Sequence, residues 1–211
     1  MATTDQDTIE WLLARHGRTF AEELGIDVEA NTPAPLFRLL VMSLLLSARI
    51  SHEIGMRTAR AMFDGGWTTA EKLARSTWEE RVKVINAAGY ARYDERTSRM
   101  LGDDAHLLLD RYGGDLRRLR DSAEKDPARE RSLLKEIKGI GDVGCDIFFR
   151  EVQLAWNELY PFADERALHG AHRLGLPATP EALAETVPRR TFPRLVSALV
   201  RAELTGETRT S

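Results

Sequence analysis

Leu134-Lys135-Glu136-Ile137-Lys138-Gly139-Ile140-Gly141-Asp142-Val143-Gly144 is the stretch on which the reading of this chain turns. Its pattern predicts one helix ending at Ile137 and another beginning near Asp142, with Gly139-Ile140-Gly141 between them. Two glycines around one buried aliphatic residue allow a tight, left-handed turn that brings two helices close. The turn also leaves backbone N–H groups without intrahelical partners at the positive end of the second helix, where a phosphate oxygen binds well. The same pattern suits a plain helical hairpin, and alone it does not choose between the two.

Helical periodicity extends in both directions from this turn. Upstream, residues 8–16 place Ile9, Leu12, Leu13 and His16 on one face, with Asp5 or Asp7 as N-cap. A turn over 31–35 precedes a segment, 36–48, that is apolar nearly all round and reads as a buried central helix. Ser51 caps the next helix, which Gly65-Gly66 ends. Further helices are predicted over 69–75, 78–87, 94–112, 115–123 and 127–137, with a loop over 89–93. Downstream, helices are predicted over 143–156, 164–174, 179–186 and 192–204, before a frayed tail over 206–211. No segment alternates with a period of two, so the expected fold class is all-α.

Composition bounds the class. The chain has 211 residues, 30 Lys+Arg against 33 Asp+Glu, a net charge of -3 and 43% apolar residues. That apolar share is too high for disorder at so low a net charge. The longest apolar run, Leu39 to Leu46, falls far short of the roughly 20 residues that span a bilayer and is interrupted by Ser43. Residues 1–6 are polar and show no signal-peptide pattern. The expectation is a soluble protein without membrane contact, cytoplasmic and nucleoid-associated, or nuclear if eukaryotic. The single cysteine, Cys145, excludes an internal disulfide and an iron–sulfur cluster.

Charge is spread unevenly. Residues 1–35 hold seven acids and two bases, residues 111–138 nine bases and six acids, and residues 165–201 six bases and three acids. An acidic chain can still present a basic face to nucleic acid, although solvated helix surface explains the same runs. The second informative stretch is Phe162-Ala163-Asp164-Glu165-Arg166-Ala167-Leu168-His169-Gly170-Ala171-His172-Arg173-Leu174-Gly175-Leu176-Pro177. Asp164 starts a helix there, as an N-cap, a catalytic carboxylate, or both.

Four segments in the same order and spacing resemble the endonuclease III-like branch of the helix-hairpin-helix (HhH-GPD) DNA glycosylase superfamily. Phe37 through Leu46-Ser47-Ala48-Arg49 is similar to the family's buried helix, leucines followed by Ser-Ala-Gln. Ala88-Gly89-Tyr90 to Arg96 is similar to its Gly-Leu-Tyr-x-x-Lys-Ala loop, and Ile137 to Gly144 to its Leu-Pro-Gly-Val-Gly-x-Lys-Thr hairpin. Ala163-Asp164 with His172-Arg173-Leu174-Gly175-Leu176 is similar to Val-Asp-Thr-His…Asn-Arg-Leu-Gly-Leu. The resemblance implies a two-domain fold with duplex DNA bound between the domains. The barrel domain would span 36–155, with the hairpin over about 127–156, and the second domain 1–35 plus 156–211, carrying Asp164. It also implies that Gly139, Ile140, Gly141, Val143 and Gly144 grip the DNA backbone, with a K+ or Na+ ion on hairpin carbonyls near Ile137 and Gly139.

The departures from the family are chemical. Bifunctional members carry a lysine where this chain has Val143, and valine has no amine to form the Schiff base that cleaves the strand. Lys135 and Lys138 precede the turn and are expected to project elsewhere. The family's C-terminal four-cysteine cluster is absent, and Cys145 reads as a small core residue. Arg49, or Ala48 after a one-residue slip, stands for the glutamine of Ser-Ala-Gln. Residues 36–48 contain no acid, which disfavours adenine removal opposite oxidised guanine. Arg49, Ser51, His52 and Glu53 would form the base-pocket lip, with Tyr90 as wedge or as half-buried loop tyrosine.

The implied activity is a monofunctional DNA glycosylase, a monomer requiring no cofactor, that acts on duplex DNA containing a damaged base or abasic site. Asp164 would stabilise the oxocarbenium-like sugar of a flipped nucleotide and orient the attacking water. The alternatives are a non-catalytic DNA-damage binder, a glycosylase with residual AP-lyase activity, and a helical protein–protein adaptor. His169 and His172 lack the companions of a zinc site, and His16, His52 and His106 carry no stronger signal.

Overall fold

The computed structural model describes residues 4–90 and 94–208, so positions 91–93 of the expected loop and the last three residues of the tail lie outside it. Among the described residues there are thirteen α-helices and no strand. They divide into two compact units, Met1–Glu23 with Phe149–Ser211, and Leu24–Phe148.

The Leu24–Phe148 unit is built around α3 (Pro33–Ser47). Nine of its residues are buried, from Leu36 to Leu45, as its all-round apolarity predicts. The helix starts earlier than expected because Pro33 is tolerated in a first turn, where no intrahelical N–H bond is lost. Arg38 lies along the helix flank and donates to the Leu24 and Gly25 carbonyls at 2.7 and 3.2 Å. Around α3 stand α4 (His52–Asp64), α5 (Ala70–Ala74), α6 (Trp78–Ala87), α7 (Asp94–Tyr112), α8 (Leu116–Ser122) and α9 (Pro127–Leu134). Helix α7 packs on α5, α6 and α8. The α6–α7 contact is clamped by the buried Arg81, which donates to Ser98 O at 2.9 Å and Ser76 O at 2.7 Å.

Helix α9 stops at Leu134, three residues short of the expected end. The chain tightens there into three-residue bonds, Ile137 N–H to Leu134 O at 3.1 Å and Ile140 N–H to Ile137 O at 3.1 Å, before Gly139. Helix α10 (Asp142–Val152) follows and ends before the expected Trp156, where the Gln153 side chain binds the Arg150 carbonyl at 2.8 Å.

The other unit contains α1 (Asp5–His16), the four-residue α2 (Phe20–Glu23), α11 (Glu165–Arg173), α12 (Pro180–Ala184) and α13 (Phe192–Thr205). Helix α13 packs on α1 and α11. The cap of α1 is Thr4 rather than Asp5 or Asp7: Asp7 instead closes a capping box with it. At the α11–α13 crossing, a Cβ on Gly170 would stand 2.5 Å from Leu199 O, so only glycine admits this approach.

The expected domain boundaries, 35/36 and 155/156, differ from the observed divisions at 23/24 and 148/149. Leu24, Ile26 and Val28 are buried, and the 3-10 turn Val28–Ala30 packs on α3, which draws residues 24–35 into the α3 unit. At the other division, Phe149 packs edge-on against Phe162, ring centroids 5.6 Å apart, drawing the last turn of α10 into the Asp164 unit.

Candidate functional site

The hairpin has an inner and an outer side. Ile140 is buried, and a Cβ on the buried Gly144 would meet its side chain at 3.3–3.4 Å, so these two residues clasp the hairpin together. Both therefore face the interior of the hairpin, as the buried aliphatic residue between two glycines predicts for Ile140. Gly139, Gly141 and Val143 face outward, Val143 at 52% exposure. Gly139 requires its residue type: its φ is +82° and a Cβ would lie 2.6 Å from Met100 Cε. Around Gly141 nothing lies within 4 Å of an added Cβ, so its missing side chain serves only to leave the helix start open. The first backbone bond of α10 there is Cys145 N–H to Gly141 O, 3.0 Å, and the N–H groups of the preceding first-turn residues have no intrahelical acceptor.

The same helix start carries a carboxylate. Asp142 is exposed and ion-paired with Lys135 at 2.9 and 3.1 Å, which lowers its pKa. Lys138 pairs with Asp103 at 2.7 Å, which raises its pKa. Its backbone N–H donates to Asp104 Oδ1 at 2.9 Å. The Lys138 amine is thus engaged by Asp103, whereas Lys135, expected to project away from the turn, instead reaches the carboxylate at the start of α10. Cys145 is fully buried behind the hairpin, and burial pushes its thiol up to about 11.

Beside the hairpin is a pocket of about 250 Å³ with Leu44, Tyr90 and Met100 among its walls and Gly139 at its edge. Arg49 and Arg96 also line it and are exposed. Arg49 and Tyr90 thus line one pocket, whereas Ser51, His52 and Glu53 do not line it. Ser51 caps α4 through Ile54 N–H at 3.3 Å. Glu53 is exposed in that first turn, its pKa lowered by a backbone hydrogen bond and by Ser51. Tyr90 is 2% exposed, and a ring so buried is a pocket wall rather than a wedge projecting into a base stack.

In the other unit, Asp164 is the N-cap of α11, accepting Ala167 N–H on Oδ1 at 3.3 Å. Its Oδ2 accepts from Arg150 Nη1 at 2.9 Å, with the arginine 3% exposed and the aspartate side chain 10%. Arg150 was not legible as a site residue: the only signal was a charged Arg150-Glu151 pair directly after the apolar Ile147-Phe148-Phe149. His169 is exposed, 3.8 Å from Glu165, and His172 is exposed as well.

No family model matches this sequence, and no curated protein matches it. Among solved structures, a trapped covalent intermediate of endonuclease III with DNA, in an estranged-adenine complex, resembles it with a TM-score of 0.50 and 16% identity. The match covers 95% of this chain and 86% of that one. The chain has the all-helical fold of endonuclease III, with a helix-hairpin-helix at 127–152.

Proposed function

We propose that this protein is a monofunctional DNA base-excision glycosylase. It hydrolyses the N-glycosidic bond of a damaged base flipped from duplex DNA, acts as a monomer and leaves the strand intact. The carrying observation is Asp164: a carboxylate at a helix start, held on both oxygens, in a chain with the endonuclease III fold. The open helix start at Gly141 would hold a backbone phosphate. Asp164 would accept a hydrogen bond from the attacking water and stabilise positive charge growing on the sugar. Val143 offers no amine at the hairpin, and Lys135 and Lys138 are committed to carboxylates, which supports an intact-strand product.

No iron–sulfur cluster or other cofactor is required on this reading. A monovalent cation would suit the hairpin, because the Ile137 carbonyl accepts the Ile140 N–H on one lone pair and keeps a second for an ion. Such an ion would add positive charge near the bound phosphate.

A second reading, a non-catalytic binder of damaged DNA, draws support from the same ion pair, since Arg150 offsets the charge of Asp164. Purified protein on duplexes carrying N7-methylguanine, uracil, hypoxanthine or dihydrothymine separates the two. Asp164→Asn should abolish excision and keep duplex affinity. Failure of the wild type to excise any of these bases favours the binder. Strand breaks formed without alkali or heat, together with borohydride trapping, would refute the monofunctional claim.

A further inference from the structure

The C-terminal end of α10 forms a buried polar lock around the segment that carries Asp164. Gln153, fully buried, donates from Nε2 to Phe162 O at 3.1 Å and accepts Phe162 N–H at 3.0 Å. Nearly one turn earlier, Arg150 donates to Asp164 Oδ2 at 2.9 Å while its guanidinium lies over the Phe20 ring, 5.0 Å from the centroid. Its Nε stands 3.6 Å from Glu151 Oε1, and Glu151 in turn accepts Ala21 N–H at 3.0 Å and the Ser197 hydroxyl at 3.2 Å. Glu151 therefore secures the start of α2, whose first ring supports Arg150. The Phe20 ring and the Glu151 carboxylate beside the guanidinium are thus themselves held.

Asp164 thus has a fixed donor on each oxygen, Arg150 on Oδ2 and Ala167 N–H on Oδ1. Two donors on opposite oxygens define the plane of a carboxylate, and each oxygen keeps a lone pair for a further hydrogen bond. We propose that Arg150 is a positioning residue, which sets the plane of the Asp164 carboxylate so that its remaining lone pairs meet the attacking water. This rests on the reading of Asp164 as the carboxylate that handles that water. The ion pair offsets part of the negative charge of Asp164, so the direction of its lone pairs matters alongside the charge it keeps. A planar, rigid fork does this better than a point charge on a flexible stem.

The test compares the wild type with Arg150→Lys and Arg150→Met on whichever of the four modified duplexes the wild type excises, after thermal melts establish folding. Single-turnover excision should fall by about 10²-fold in both variants, the scale expected for a misplaced catalytic group. The half-saturating duplex concentration should stay within about twofold of wild type, because Arg150 is only 3% exposed and offers almost no surface for DNA to touch. An Arg150→Lys enzyme at the wild-type rate would show that charge suffices and overturn the proposal. A change in half-saturation with an unchanged rate would do the same. Should Arg150→Met fail to fold, Arg150→Lys, which keeps the buried charge, carries the test alone. A wild type that excises nothing overturns the glycosylase reading and this inference with it. A wild type that excises while its Arg150 variants match it overturns the inference only.

Discussion

Asp104 is 4% exposed on α7, with Oδ1 accepting the Lys138 backbone N–H and Oδ2 buried without a hydrogen-bond partner. Burial raises its pKa from 3.8 to about 7, and the neighbouring Asp103 adds to the rise. A raised acid holds its proton in the folded state where the unfolded chain has lost it. Its contribution to stability is therefore full below about pH 4 and lost as the pH climbs through about 7. Thermal melts should show stability declining across that window, and Asp104→Asn should flatten the decline and raise the melting temperature at pH 8. A steeper decline in the variant would contradict the assignment. Cys145 offers a simpler check. With its thiol buried and pushed up to about 11, it should resist alkylation in the folded protein at pH 8 and react at once in denaturant.

At the scale of elements, the start of α10 combines two opposed features: first-turn N–H groups that attract an anion and the Asp142 carboxylate that repels one. Lys135 offsets that carboxylate. Asp142→Asn removes the repulsion and releases the lysine, so duplex affinity should rise about two- to fivefold at low salt, the size of one helix-terminal charge effect of about 0.3–1 kcal/mol. Titration by fluorescence anisotropy reads this directly, and weaker binding would argue against the hairpin as the phosphate site. The α11–α13 crossing gives a stability test. Gly170→Ala drives a methyl into Leu199 O and should cost about 1–3 kcal/mol in denaturant unfolding. Much of the element structure was legible beforehand, since the buried α3 and the long α7 are written in residue periodicity alone. The ends were less so. Helix α9 stops at Leu134 and α10 at Val152 because of turn bonds and a Gln153 side-chain contact, neither of which leaves a local pattern.

For the whole molecule, the uneven charge takes on a different meaning. In the basic stretch 111–138, Arg111, Arg117, Arg129, Arg131, Lys135 and Lys138 all pair with carboxylates. A run that looked like an electrostatic footprint is largely spent within the protein. On the proposed function, DNA affinity should then depend only moderately on salt. The slope of log K against log salt should be about -2 to -4, as for two to four phosphate contacts, between roughly 50 and 200 mM. A slope near -8 would show a broad cationic face instead.

The sequence by itself determined that the chain is helical and that a glycine turn joins two helices at 139–141. It also marked Asp164 at a helix start. These are local properties, set by residue periodicity, by the positive φ that Gly139 needs and by the capping chemistry of a short carboxylate. Only the tertiary structure decided which side chains meet across distance. It turned Tyr90 inward, buried Gly144 against Ile140, set Arg49 and Arg96 on the lining of one pocket and kept Ser51, legible as a cap, out of that lining. It also placed Arg150 on Asp164, fourteen residues away. The physical reason is that a buried charge must find a partner wherever packing brings one, and packing depends on the whole chain rather than on the neighbouring residues.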